Sequence, residues 1–184
     1  MATKNQPEKN SSISNPELYF SEMKKEEMLE FSRVLNAPRK LVYKAFSGSA
    51  ALAQWWGPKG CSINIVTFDF RPGGIFHYNM EMNGKVMWGK FRYLEIVEPE
   101  RIVFVNSFSD EDGNVTPNPF LPTFPLEIMN IVTFTEHDGK TTLAFRGGPI
   151  NATETEQQTF RDMNSSMQQG FAGTFDALEE YLAK

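Results

Sequence analysis

The chain is short of the residues on which much enzyme and secretory chemistry rests. Of its 184 residues only Cys61 is a cysteine, and only His77 and His137 are histidines. One cysteine excludes an internal disulfide and fits a reducing, cytoplasmic compartment. Cys61 itself reads as a small, partly buried hydrophobe at the start of a strand. Neither histidine has a partner at ligand spacing, so no metal site is expected. No serine or cysteine stands in the glycine-flanked setting of a hydrolase nucleophile. Gly73-Gly74 lacks the strand–helix surroundings of a phosphate loop and reads as a turn or bulge, so no cofactor is expected. Asp110-Glu111-Asp112-Gly113-Asn114 is acidic, yet it lacks the remaining ligands of a calcium loop and reads as a solvated turn. No apolar run approaches a membrane span. Residues Met1 to Asn15 carry no apolar core of a secretory signal. Net charge is −5, from 18 Lys+Arg against 23 Asp+Glu, and no basic face is visible, which removes the nucleic-acid classes.

Aromatic residues are abundant instead: 16 Phe, 5 Tyr and 3 Trp, in a chain of one-domain length with enough apolar content for a real core. The organising stretch is the last one, Asn151 to Lys184. Thr153 and Glu156 have the spacing of a capping box. Apolar positions then recur at Phe160, Met163, Met167, Phe171, Thr174, Leu178 and Tyr181 or Leu182, the three–four alternation of one helical face. Gly170 and Gly173 interrupt that helix at about 1 kcal/mol each against alanine. They read either as close packing against a strand or as room for a ligand beneath the helix.

The remaining chain reads in order as follows. Residues 1 to 15 are polar and aperiodic, a disordered tail. Residues 16 to 27 form a short N-terminal segment with helical character. Met28 to Leu35 is a first strand, and Pro38 opens the first of two short helices, the second over Ser49 to Trp55. The period then switches to two. Strands are expected over Ser62 to Phe70, Ile75 to Met82, Val86 to Val97, Arg101 to Phe108, Leu126 to Thr135 and Thr141 to Arg146. Asn83-Gly84 is a hairpin signal, and His137 falls in the turn before the last strand. Residues 109 to 125 form a long connection with four prolines, a candidate lid.

Strands joined by tight turns make an antiparallel sheet with one apolar face to cover. Only the terminal helix is long enough to cover it. The expected class is therefore α+β: a curved antiparallel sheet of six to seven strands wrapped around a long C-terminal helix, with two short helices between strands 1 and 2. Five stretches carry a resemblance in this order: Arg33-Val-Leu-Asn-Ala-Pro38, Gln54-Trp-Trp-Gly-Pro58, Asp69-Phe-Arg-Pro-Gly-Gly74, Phe108-Ser-Asp-Glu-Asp-Gly-Asn114, and Gly170-Phe-Ala-Gly-Thr-Phe-Asp-Ala-Leu-Glu-Glu-Tyr-Leu182. Over residues 28 to 184 the chain resembles the family named after the C-terminal domain of the activator of the Hsp90 ATPase, within the START-like superfamily of helix-grip folds. The resemblance implies the fold and a cavity between helix and sheet, where relatives in the wider superfamily hold lipids, hormones and polyketides. The namesake's chaperone partner is disfavoured, because the namesake has a further N-terminal domain.

Candidates to line that cavity are Trp56, Phe76, Tyr78, Met80, Phe91, Phe104, Asn106, Met129, Phe145, Met163, Met167 and Phe171. Methionines suit an irregular surface. Asn106 is a polar group on an apolar face and needs a ligand oxygen, a water or a backbone partner. One of Trp55 and Trp56 anchors the short helices, and the other borders the cavity mouth. His77 lies opposite Phe76, Tyr78 and Met80 and is expected to face solvent. Asp69 and Arg71 form a charge pair at a turn. The leading expectation is a binding protein for a small hydrophobic or aromatic ligand, in a closed pocket under the 109–125 loop. The second is a cyclase or lyase using Tyr78, Asn106 or Arg146 to handle protons, and the third is a co-chaperone-like interaction module. A homodimer is compatible with the sequence.

Overall fold

The computed structural model of the protein describes residues 15–58 and 60–184. Apart from Asn15, the expected polar tail therefore lies outside the described residues. Asn15 caps a helix: its Oδ1 accepts from Leu18 N at 3.1 Å, and Pro16 occupies the first position of α1 (Pro16–Glu22). After a 3₁₀ turn at Lys25–Glu27 come β1 (Leu29–Leu35), α2 (Arg39–Ser47), α3 (Ser49–Trp55) and β2 (Ser62–Phe68). The chain continues through β3 (Ile75–Met82), β4 (Lys85–Val97), β5 (Arg101–Phe108), β6 (Ile128–His137), β7 (Lys140–Pro149) and α4 (Glu154–Leu182).

The seven strands form one antiparallel sheet in the order β1-β7-β6-β5-β4-β3-β2. Asn83 and Gly84, at φ 54° and 74°, supply the two positive-φ positions of the β3–β4 hairpin turn. Register slips beside Leu94 and Val66 mark bulges, which bend a sheet and deepen its concavity. On the concave face Phe31 pairs with Phe145, Phe145 with Val132, and Phe76 with Phe91, and these residues anchor the main core.

Helix α4 lies in that concavity. Its capping box is formed: Thr153 N donates to Glu156 Oε2 at 2.7 Å, and Glu156 N to Thr153 Oγ1 at 3.3 Å. Asn164 Nδ2 donates to Met28 O at 2.7 Å and ties the helix to the start of β1. The two ends are seated through Phe160 at one and Phe175 and Leu178 at the other, all buried. Phe175 is missing from the apolar stripe read in the sequence. Between these anchors Met163, Met167 and Phe171 are only partly buried and Gly170 is exposed. The helix is buried at both ends; in the middle Phe171 reaches Phe145 and Phe31, with ring centroids 4.9 and 5.5 Å away, and space is left over β3 to β5.

The expectation of a single apolar sheet face needs correction. Val103, Val105, Met129 and Ile131 are buried on the convex face with Phe20 and Ile150, a second core distinct from the first. Helix α1 covers it. Glu17 reaches Arg101 and, at 2.8 Å, Arg146, while the Tyr19 hydroxyl donates to Pro149 O. Burial alone would raise the Glu17 pKa, but hydrogen bonds from Arg146 and Arg101 outweigh it and hold the carboxyl below its ordinary value. The convex face also hides His77, which is 5% exposed and does not face solvent. The start of the long connection folds back over it. His77 stacks on Trp88 at 5.1 Å and its Nε2 donates to Asp110 O at 3.1 Å, while Lys90 Nζ donates to Gly113 O at 2.7 Å. No helix among the described residues is long and apolar enough to cross a membrane.

Candidate functional site

Where the middle of α4 leaves the sheet, a cavity of about 360 Å³ remains, partly open to solvent. That volume lies in the range of small-molecule sites, roughly 300–1,000 Å³. Its floor is Tyr78 and Met80 of β3, Met87, Gly89 and Phe91 of β4, Phe104, Asn106 and Phe108 of β5, Asn130 of β6 and Phe145 of β7. Met167, Gly170, Phe171 and Thr174 of α4 form the roof, and Trp56 to Pro58 close one end. Two expectations change here. The pocket is not closed, and none of residues 109–125 lines it. Phe124 of that connection packs instead against Phe108 at 6.3 Å and Phe160 at 6.0 Å, bracing the rim from outside.

Nine of the twelve candidate lining residues meet around this cavity: Trp56, Tyr78, Met80, Phe91, Phe104, Asn106, Phe145, Met167 and Phe171. Three do not. Phe76 is fully buried between Phe68, Tyr78 and Phe91 and fills core. Met129 belongs to the convex core, because alternation along β6 puts Ile128, Asn130 and Val132 on the cavity side. Met163 lies on α4 outside the lining. Asn130 was legible in principle, since it shares a face with Val132 and Phe134. Met87 and Gly89 share the alternate positions of Phe91 on β4.

The two tryptophans divide. Trp55 is 2% exposed, and its Nε1 donates to Ala45 O at 2.9 Å, fixing α3 on α2. Trp56 packs edge-on to Phe91 at 5.2 Å, within the cavity wall. Its Nε1 is buried and, among the described residues, makes no hydrogen bond of good geometry, though it lies close enough to the Tyr78 oxygen to lower that group's pKa. Burial dominates, and the Tyr78 hydroxyl is pushed up to about 12. The Tyr78 ring lies across β4 over Gly89. A Cβ there would stand 2.8 Å from Tyr78 Cζ and Oη, so glycine is what admits the ring.

Asn106 finds its partner in a side chain, not in the ligand, water or backbone group expected. Asn130 Nδ2 donates to Asn106 Oδ1 at 2.6 Å and to Ile128 O at 2.9 Å. Gly147 leaves space for this amide, since a Cβ there would meet Asn130 Oδ1 at 2.8 Å. With Oδ1 engaged, Asn106 turns its Nδ2 away from Asn130. Among the described residues that NH₂ has no hydrogen-bond partner. No charged side chain occurs among the described lining residues.

Other candidates resolve locally. Arg146, offered as a proton handler, sits on the convex face with Glu17 and is excluded from the cavity by the sheet. Arg71 Nε meets Asp69 at 2.9 Å across an exposed turn. The Asp110 carboxylate is already saturated by Asp112 N, Asn114 N and Asn114 Nδ2 within its own turn, which fits a self-capped loop. Cys61 is partly buried, and burial raises its pKa, so it stays a thiol.

A bent antiparallel wall closed on one C-terminal helix, with two short helices between its first strands, defines the START-like class of helix-grip proteins. Within that class the chain belongs to the Activator of Hsp90 ATPase homolog 1-like family, whose model matches residues 36–183. A Mycobacterium smegmatis protein of known crystal structure is 28% identical, over 84% of this chain and 89% of its own, with a TM-score of 0.69. A Staphylococcus epidermidis protein solved by NMR is 23% identical over 88% and 92%, with a TM-score of 0.71. The AHSA1 protein of Silicibacter pomeroyi is 18% identical over 85% and 97%, with a TM-score of 0.64, a likeness of fold alone. No functionally curated protein matches the chain.

Proposed function

We propose that the protein binds a small hydrophobic molecule between the sheet and the middle of α4. The observation that carries this reading is the way α4 is seated. Phe160, Phe175 and Leu178 bury both ends, while Met167, Gly170 and Phe171 span an aromatic- and methionine-lined gap of about 360 Å³. A helix selected only for core packing would close that gap, because interiors pack to near-crystalline density. Binding is favoured over catalysis by the chemistry of the lining. Tyr78 is the one titratable side chain among the described lining residues, and its hydroxyl keeps its proton at neutral pH. A reaction requiring proton abstraction needs a base that this set lacks. The chaperone in the family's name describes the namesake and supports no chaperone contact here.

The test is a fluorescence titration with the neutral probe N-phenyl-1-naphthylamine. One saturable site per chain is expected, with emission shifted to the blue. Absence of saturable uptake refutes the reading.

A further inference from the structure

We propose that the cavity selects neutral, flat, apolar molecules that present one acceptor oxygen to Tyr78 Oη and Asn106 Nδ2. This rests on the binding reading above and specifies its ligand class.

Across β3, β4 and β5 one row holds Phe76, Phe91 and Asn106, and the next holds Tyr78, Gly89 and Phe108. Neighbouring strands are about 4.8 Å apart, so an upright Tyr78 would stand two strands from Asn106. It is not upright. Glycine at position 89 lets the ring lie across β4, with Oη 2.8 Å from where a Cβ would be. The hydroxyl is thereby carried one strand towards Asn106. Both groups then border the same space.

Their polarity is the same. The Trp56 indole N–H sits beside the Tyr78 oxygen. A donor on that side leaves the phenolic proton free to point elsewhere, into the cavity. Asn106 presents its NH₂ because Asn130 holds its carbonyl. Two donors facing an apolar space are matched by an oxygen with two lone pairs, such as a ketone, aldehyde or quinone. A carboxylate would also accept, but it would bring a full charge into a lining with no described cation, which is costly. The walls fix the remainder of the ligand. Phe91 and Phe104 stack at 4.3 Å with rings 14° from parallel, and Trp56 closes edge-on. Stacked on each other, the two rings present an aromatic wall, and flat rings suit such a wall.

The test uses three probes of one shape: 2-ethylnaphthalene, 2-acetylnaphthalene and 2-naphthoate, titrated calorimetrically into the full chain. The ketone is expected to bind about tenfold more tightly than the hydrocarbon, the effect of hydrogen bonds worth about 1.4 kcal/mol. Naphthoate should bind more weakly than the ketone. Tyr78→Phe keeps the ring and should cut the ketone's advantage over the hydrocarbon from about tenfold to about threefold, because the Asn106 donor remains. Equal binding of ketone and hydrocarbon, or naphthoate binding as tightly as the ketone, overturns this inference and leaves the binding reading standing. Failure of all three probes to bind overturns both.

Discussion

The glycines of α4 offer a sharp quantitative test, because two physical accounts of them predict opposite signs. If Gly170 and Gly173 were there to let the helix press on a strand, a methyl group would collide. Overpacking of that kind costs about 1–3 kcal/mol. The coordinates argue otherwise: a Cβ at either position meets nothing within 4 Å. What remains is helix propensity, which favours alanine over glycine by about 1 kcal/mol at an exposed helical site. Each of Gly170→Ala and Gly173→Ala should therefore stabilise the protein by about that much, raising Tm by about 2–4 °C for a domain of this size. Differential scanning calorimetry and urea midpoints should agree. The two positions then separate by function. Gly170 lines the cavity and Gly173 does not. Gly170→Leu places a branched side chain in the roof of the cavity, and uptake of N-phenyl-1-naphthylamine should fall at least about tenfold while Tm still rises. Gly173→Leu should leave uptake unchanged. A lower Tm for Gly170→Ala would refute the open-space account, and full probe uptake by Gly170→Leu would mean that the probe does not sit beneath Gly170.

Phe20 is 2% exposed in the convex core, so Phe20→Ala should cost about 3–5 kcal/mol and lower Tm by roughly 6–20 °C. No loss in the melt would mean that α1 is dispensable. The lowered pKa of Glu17 means that the folded state holds this carboxylate charged more readily than the unfolded chain. Its contribution is therefore present above the ordinary glutamate pKa and is lost as pH falls through the folded value. Glu17→Gln should flatten the acid limb of Tm against pH, and the side chain is half exposed, so the change should be small. Gly89→Ala should destabilise by about 1–3 kcal/mol, read as a lower urea midpoint, by displacing the Tyr78 ring. His77→Phe keeps the stack on Trp88 but loses the bond to Asp110 O, and hydrogen exchange should accelerate at residues 110–116.

Periodicity is a strong guide where only one face of an element matters. The capping box, the Asn83-Gly84 turn and β3 all fall where the sequence pattern puts them, because each is governed by local chemistry. Misreadings begin where both faces are apolar. In β5, Ile102-Val103-Phe104-Val105 is a continuous apolar run, the mark of a strand covered on two sides. Alternation alone does not say which residues meet which cover. Sequence pattern therefore places Met129 in the cavity and gives no sign of the convex core beneath α1. His77 follows the same logic. Alternation puts it opposite Tyr78, as in the structure, but that face is roofed by a connection whose path no periodic signal encodes. The Tyr78–Gly89 crossing is harder still, since it depends on β3–β4 register and on a side chain that is absent.

The two faces of the sheet have different consequences for what the concave side can hold. If α4 had to stabilise the whole fold, any gap beneath it would be expensive, since cavities cost about 24 cal/mol per Å³ in engineered cores. Here the convex core of Phe20, Val103, Val105, Met129, Ile131 and Ile150 buries the outer face of β5 and β6 independently. The ends of α4 and the α2–α3 pair bury the inner face at β1, β7 and the far end of the sheet. The middle of the helix meets that floor through Phe171, whose ring lies 4.9 Å from that of Phe145 on β7, so β3, β4 and β5 are held mainly by other cover. That division lets the central turns of α4 carry glycines and partly buried methionines, which a purely structural helix would replace. It also predicts where destabilisation and loss of binding part company. Substitutions beneath α1 should lower Tm and leave probe affinity intact in the folded fraction, whereas substitutions at Gly170 should change affinity while Tm rises. If affinity fell in step with stability for both sets, the sheet would not be the independent scaffold that its two cores describe.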